Sequence, residues 1–330
     1  MRHSCSPSGA NGDGMAEGYL HQVGFYASDD GFRDLIRPFA LDGIEAGEPV
    51  VFAYDPYKMD LLRDWLPDSP GITYITDTDP YATPTRSLIA WRQVIEGHLE
   101  AGATRVRIAG NVPHPGYGRS YVGWDRYEAA LDNAMGDLPV WAPCLYDTRI
   151  APPEVVDAAR RLHHNVLDGD GTHNFNRHFE AADSLADFLS PPLDPLEQTV
   201  PAVQLVDPAP AEVRAAVREL SAGLLGPGEG ADLVTAASET VTNAIIHGVA
   251  PVTVRIWTGD DRVLVAVHDQ GQGPSDPLVG LLPGADDGRS LGRGLWIAHQ
   301  MDIDVGLFAA GTGFTVTLRA DRAASLAAVS

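Results

Sequence analysis

Residues 238–248 read SETVTNAIIHG, a polar stripe on a helix that is otherwise apolar. Glu239, Asn243 and His247 recur at every fourth position, so one helical face carries all three. The other face holds Val234, Val241 and Ile245 among alanines, enough to pack against a sheet. Such a stripe has two readings on its own. It is either the solvated side of an amphipathic helix or a wall of polar groups turned toward a ligand.

Three downstream features favour the ligand. AVHDQGQGP sets Asp269 at the end of a strand with Gly271 and Gly273 behind it. Backbone in such a turn can approach a ligand closely, and the carboxylate can accept from an exocyclic amine. SLGRGLWIAHQM places Gly292 and Gly294 at a helix start, where free N–H groups favour phosphate. GTGFTVTL puts Thr312 at the head of a last strand, able to share hydrogen bonds with a buried aspartate.

In this order (E-x-x-x-N, D-x-G-x-G, G-x-G and a terminal G-T strand) the residues resemble the GHKL, or Bergerat, ATP-binding fold of gyrase, histidine kinases and MutL. SETVTNAIIHG is especially similar to the anti-sigma serine kinases of the RsbW and SpoIIAB type. The resemblance spans roughly residues 204–320. It implies an α+β sandwich that takes ATP and Mg²⁺, with Asn243 on the metal and Asp269 on the adenine amino group. It also implies that Gly271 and Gly273 shape the adenine-side turn and that Thr312 supports Asp269. Gly292, Arg293 and Gly294, with Arg289 as a second cation, would hold phosphate oxygens, and Glu239 would be the general base. Residues 274–290, rich in Pro, Gly and Asp, would form the lid.

Composition is consistent with that chemistry. Lys58 is the only lysine, so a Walker P-loop is absent and any nucleotide site works without one. The net charge of −22 argues against nucleic acid as a partner. No apolar run reaches membrane-spanning length, and residues 1–18 lack the apolar core of a signal peptide, so a disordered leader on a cytoplasmic protein is expected. Cys5 and Cys144 make neither a disulfide framework nor a metal-type spacing, and His163, His164, His173 and His178 match no metal site by spacing.

Toward the N-terminus, short apolar runs alternate with helical stretches over residues 19–188. This predicts a doubly wound α/β domain with a parallel sheet covered on both faces. One helix is expected to start at an Asp cap and close on Gly47, and another to run from PPEVV through HHNVL. HQVGFYASDDGFRDLIRPFALDGIEAGEPVVFAYD, with the later PCLYD and HHN segments, resembles the MEDS (DcmR-type sensory) domain, a RecA-like sheet lacking the P-loop. YASDDGFRD stands where a P-loop would, and its two aspartates repel phosphate. The resemblance implies a sensory role with a small-molecule ligand, for which His21, Phe25, Tyr26 and the loop around Tyr117 are candidate lining residues.

A proline-rich linker is expected over residues 189–203, then the ATP-binding domain over 204–320 and a tail over 321–330. No helical hairpin bearing a phospho-acceptor histidine fits in that linker, and little chain follows residue 320 for a transducer domain. The function expected is an anti-sigma factor that phosphorylates a serine or threonine of an anti-anti-sigma (STAS) protein, alone or as a homodimer, under control of its sensory half. The alternative is a non-catalytic ATP-binding clamp that sequesters a sigma factor or STAS protein in response to a small-molecule signal.

Overall fold

The computed structural model describes residues 18–76, 80–119, 121, 123–169, 172–180, 194–276, 278–281, 293–301, 303–310 and 313–322. Two sheets organise them, one dominated by parallel strands and one antiparallel.

The first sheet is built from β1 (Leu20–Tyr26), β2 (Val50–Ala53), β3 (Ile72–Tyr74), β4 (Val106–Gly110), β5 (Val140–Asp147), β6 (Asn165–Leu167) and β7 (His173–Phe175). Its order is β3-β2-β4-β5-β1-β6-β7, parallel except for the last pair. The helices are α1 (Asp29–Ala46), α2 (Pro56–Trp65), α3 (Pro84–Glu100), α4 (Trp124–Met135) and α5 (Pro153–Leu162). Strand alternation divides the core between the two faces. Val50, Phe52, Trp141 and Leu145 meet Phe32, Ile36 and Phe39 of α1 and Met59 and Leu62 of α2. Val51, Ala142, Cys144 and Tyr146 meet Trp91 of α3, Tyr127 and Leu131 of α4 and Val155 of α5.

Two local expectations change. The cap of α1 is Ser28, whose side chain accepts from Gly31 N, while Asp29 and Asp30 occupy the first turn; Gly47 does close the helix, at φ 71°. The expected helix through HHNVL stops at Leu162, and Asn165–Leu167 is the strand β6. Helical periodicity continues past that point in the sequence, but β1 has an open edge whose backbone groups need partners. Asn165 and Val166 pair with Gln22 and Val23 of β1 and satisfy part of it.

The second sheet comprises β8 (Val203–Val206), β9 (Thr253–Thr258), β10 (Arg262–Asp269), β11 (Asp304–Ala310) and β12 (Gly313–Asp321), in the antiparallel order β11-β12-β10-β9-β8. The expected hairpin is β9–β10. On one face lie α6 (Pro210–Ser221), α7 (Pro227–His247) and α8 (Arg293–Gln300), burying Val213, Leu233, Val241 and Leu295 against Val254, Val265 and Val316. The other face carries Trp257, Leu264 and Ala266, buried with Leu196 packed on them. Trp257 Nε1 donates to Thr199 O at 3.1 Å and Arg262 Nη2 donates to Asp194 Oδ1 at 3.2 Å. Residues 194–199 are therefore a strap on the second sheet, and Val203 already belongs to β8. Among the described residues, no helix is long and apolar enough to cross a membrane.

The halves meet along α8 and residues 278–281. Thr83 Oγ1 donates to His299 O at 3.0 Å and Arg86 Nε to Gln300 O at 2.6 Å. The first turn of α3 thus satisfies carbonyls that the end of α8 leaves free, with a cation at the negative end of its dipole. Arg126 of α4 donates to Val279 O at 2.7 Å, and Leu281, 1% exposed, is part of the N-terminal core.

Candidate functional site

The site assembles along α7. Glu239 and Asn243 are half-buried on its polar face, while His247 is exposed. Ile245 is not on the packed face as expected: it is 49% exposed, beside exposed Ile246 and Val249. In the last two turns of α7, only Val241 and Ala244 belong to the hydrophobic core.

Gly294, in the first turn of α8, explains how the two helices close on one another. A Cβ there would lie 2.7 Å from Asn243 Nδ2 and 3.2 Å from Glu239 Oε2. A side chain there would displace the Asn243 amide, so glycine lets α8 and the pair approach this closely. The structure thus brings together Glu239, Asn243 and Gly294. Arg289, Gly292 and Thr312, and the side chain of Arg293, lie outside the described residues.

Asp269 closes the opposite end. It is 6% exposed, and its Oδ1 accepts from Gly271 N at 2.7 Å and Val249 N at 3.1 Å. Gln270 N also donates to Val249 O at 2.7 Å, pinning the turn to the chain leaving α7. These bonds fix the carboxylate's orientation and leave Oδ2 uncommitted among the described residues. Gly273, at φ 75°, sits where a Cβ would strike the Phe314 ring at 2.4 Å. Gly248 was missed in the sequence, yet a Cβ there would meet Asp269 Cγ at 2.5 Å. Its signal was its place directly after the stripe, at the helix end.

Along α7 the order is Glu239, Asn243, then Gly248 against Asp269. At about 1.5 Å rise per residue, the first two are about 6 Å apart and Gly248 about 7.5 Å further. This row offers a carboxylate, an amide oxygen for a hard cation and a fixed acceptor for an exocyclic amine, in the sequence that spans a nucleotide from terminal phosphate to base. The donor set fits ATP with Mg²⁺.

In the N-terminal half the P-loop position is closed to anions. Asp29, at the start of α1, accepts from Tyr57 Oη at 2.6 Å and Arg149 Nη2 at 2.9 Å, and those two bonds hold its carboxyl below the usual range. Two cavities are described in this half. A cavity of about 520 Å³ opens at the C-terminal ends of β2, β3 and β4, lined by Tyr54, Asp55, Met59, Asn111, Tyr117 and Arg119 among others. Of the four expected lining residues only Tyr117 is there; Phe25 faces a separate 210 Å³ cavity. Lys58 Nζ stands beside the larger one and donates to Tyr117 Oη at 2.7 Å, Asp55 Oδ2 at 3.0 Å and Asn111 Oδ1 at 3.3 Å. His164, His173 and His178 are exposed and apart from buried His163.

Residues 20–164 match the family model of the MEDS domain (MEthanogen/methylotroph, DcmR Sensory domain), and residues 206–320 that of the histidine kinase-like ATPase domain. No curated protein matches the chain. The chain therefore joins a sensory domain to a histidine kinase-like ATPase domain, a combination suited to regulated ATP binding or kinase activity.

Proposed function

We propose that the protein is an ATP-dependent serine/threonine kinase of the anti-sigma type, whose substrate is a hydroxyl on a STAS-domain protein and whose activity answers to its N-terminal half. The observation that carries this reading is Glu239 one helical turn from Asn243, both packed on Gly294, with Asp269 fixed at the far end of the same helix. Bound Mg²⁺ would neutralise the phosphates and polarise the one in transfer.

The chain's own residues do the rest. Asn243 offers an amide oxygen to the ion, and Asp269 accepts from the base's amine through its free oxygen. Glu239 takes the proton of the attacking hydroxyl, a role worth about 10²–10⁴-fold in rate. Arg293 is positioned at the start of α8 and, with Gly292 and Arg289, would meet phosphate oxygens. Thr312 would support Asp269. The exposed Ile245, Ile246 and Val249 beside this row offer apolar area that a sigma factor or STAS protein can cover.

Control by the sensory half is supported by the grip of Thr83, Arg86 and Arg126 on α8 and on Val279. These contacts fall within and just after residues 274–290, where the lid is expected, so a ligand that shifts α3 or α4 would act on the phosphate end of the site. The larger N-terminal cavity is the proposed place for that ligand.

The test is to co-purify partners with the full-length chain and incubate them with γ-labelled ATP. Label is expected on a serine or threonine of a STAS partner, lost in Glu239→Gln with nucleotide binding kept. Bound ATP with no transfer would replace the kinase by the clamp.

A further inference from the structure

Four side chains that the nucleotide site does not use converge inside the N-terminal half. His21 comes from β1, Cys144 from β5, Glu128 from α4 and His163 from the C-terminal end of α5. Parallel pairing sets Val23 opposite Cys144, so His21 and Cys144 emerge on the same face of the sheet. All four are buried, and one donor atom from each lies within 4.8 Å of the others. His21 Nε2 is 3.2 Å from Glu128 Oε2 and 3.3 Å from Cys144 Sγ, and His163 Nε2 is 3.1 Å from Glu128 Oε2.

We propose that His21, Glu128, Cys144 and His163 form a closed four-ligand site for a divalent transition ion of the zinc class. Bonds of about 2.0–2.3 Å at tetrahedral angles separate neighbouring donors by about 3.3–3.8 Å, so the three closest pairs need to open by only a few tenths of an ångström, and no pair is beyond 4.8 Å. Two imidazoles, a carboxylate and a thiolate suit zinc, and cobalt as its spectroscopic substitute.

The atoms facing away from the centre strengthen the assignment. His163 Nδ1 donates to Ala159 O at 2.8 Å, which leaves Nε2 as the lone-pair nitrogen. His21 Nδ1 lies 3.4 Å from Asp132 Oδ1, and Glu128 Oε1 accepts from Tyr146 Oη at 3.2 Å. His163 and Glu128 thus have an outer hydrogen bond that orients the inner atom, as metal-bound histidines and carboxylates do, while His21 Nδ1 faces Asp132 without a hydrogen bond. His163 Nε2 makes no hydrogen bond although it is buried 3.1 Å from a carboxylate oxygen. A ring nitrogen and a carboxylate oxygen buried this close need a proton or a metal cation between them.

The thiolate and carboxylate charges cancel those of the ion, and binding displaces the thiol proton into solvent. Four protein donors leave no open position, so the ion would tie β1, β5, α4 and α5 together rather than activate water. No sequence spacing announced this site, because its ligands are spread from residue 21 to residue 163.

The experiment uses the full-length chain, expressed in medium supplemented with zinc or with cobalt. Zinc-grown protein is expected to carry close to one ion per chain. Cobalt-grown protein should show the thiolate-to-cobalt charge-transfer band with the intense visible absorption of a tetrahedral site. Cys144→Ala should lose the charge-transfer band, and His164→Ala, at an exposed neighbour, should keep both signals. The idea is overturned if wild-type protein carries no stoichiometric ion and no thiolate band, as a histidine–glutamate pair without metal would. It is equally overturned if Cys144→Ala retains the band, which would assign it to Cys5.

Discussion

The two halves place polar side chains in opposite ways. In the ATPase half Glu239 and Asn243 are half-buried on one helix against Gly294, while Asp269 commits one oxygen to backbone and the other to nothing among the described residues. In the sensory half Glu128 is fully buried, and its two oxygens are met by Tyr146 and by His21 and His163. A carboxylate oxygen left for a ligand belongs to a site that binds and releases. A carboxylate enclosed by oriented partners belongs to one that holds its occupant or holds the fold.

The sharpest way to break this comparison is Glu239→Gln, expected to cut phosphate transfer by about 10²–10⁴-fold while leaving ATP affinity and the unfolding midpoint unchanged. A parallel loss of stability would make Glu239 structural, like Glu128. Next is Glu128→Leu, expected to cost about 3–5 kcal/mol in denaturant unfolding, since it strands two buried histidines. A change under about 1 kcal/mol would mean that the cluster is solvated like the outer site.

Asp269→Asn should keep the fold and weaken ATP by about 1.5–3 kcal/mol, the range for a hydrogen bond to a charged group, as measured by calorimetry. The seam between the halves should respond to acid. Burial, helped by Arg126, holds the His299 imidazole down at about 3. The unfolded chain takes up that proton near 6.5 and the folded one does not, so stability falls as pH drops from about 6.5 toward 3. His299→Gln should flatten that part of a pH series of unfolding midpoints. The smallest effect is expected from Arg86→Ala, about 0.5–1.5 kcal/mol, seen as faster hydrogen exchange at the end of α8 with little change in the N-terminal core.

The candidate ATP site was largely legible because its parts are local. Glu239 and Asn243 share one helix, and Asp269 and Gly271 share one turn, so spacing alone states which side chains are neighbours. Gly248 escaped because its reason lies across the sheet, in Asp269. Ile245 was misplaced because periodicity defines a face but not how far along the helix that face stays packed. The position of the larger N-terminal cavity was not legible for a similar reason: β1 lies between β5 and β6, whereas the cavity opens over β2, β3 and β4.

By itself, the sequence determined the two-part organisation, the parallel and antiparallel character of the sheets and the polar row on α7. Each follows from short-range periodicity and turn chemistry, which act between residues a few positions apart. Only the tertiary structure decided that HHNVL pairs as a strand, that α3 and α4 hold α8, and that His21, Glu128, Cys144 and His163 share one point. Those outcomes depend on which strands become neighbours and which backbone edges remain to be satisfied, and such choices are made by the whole sheet at once.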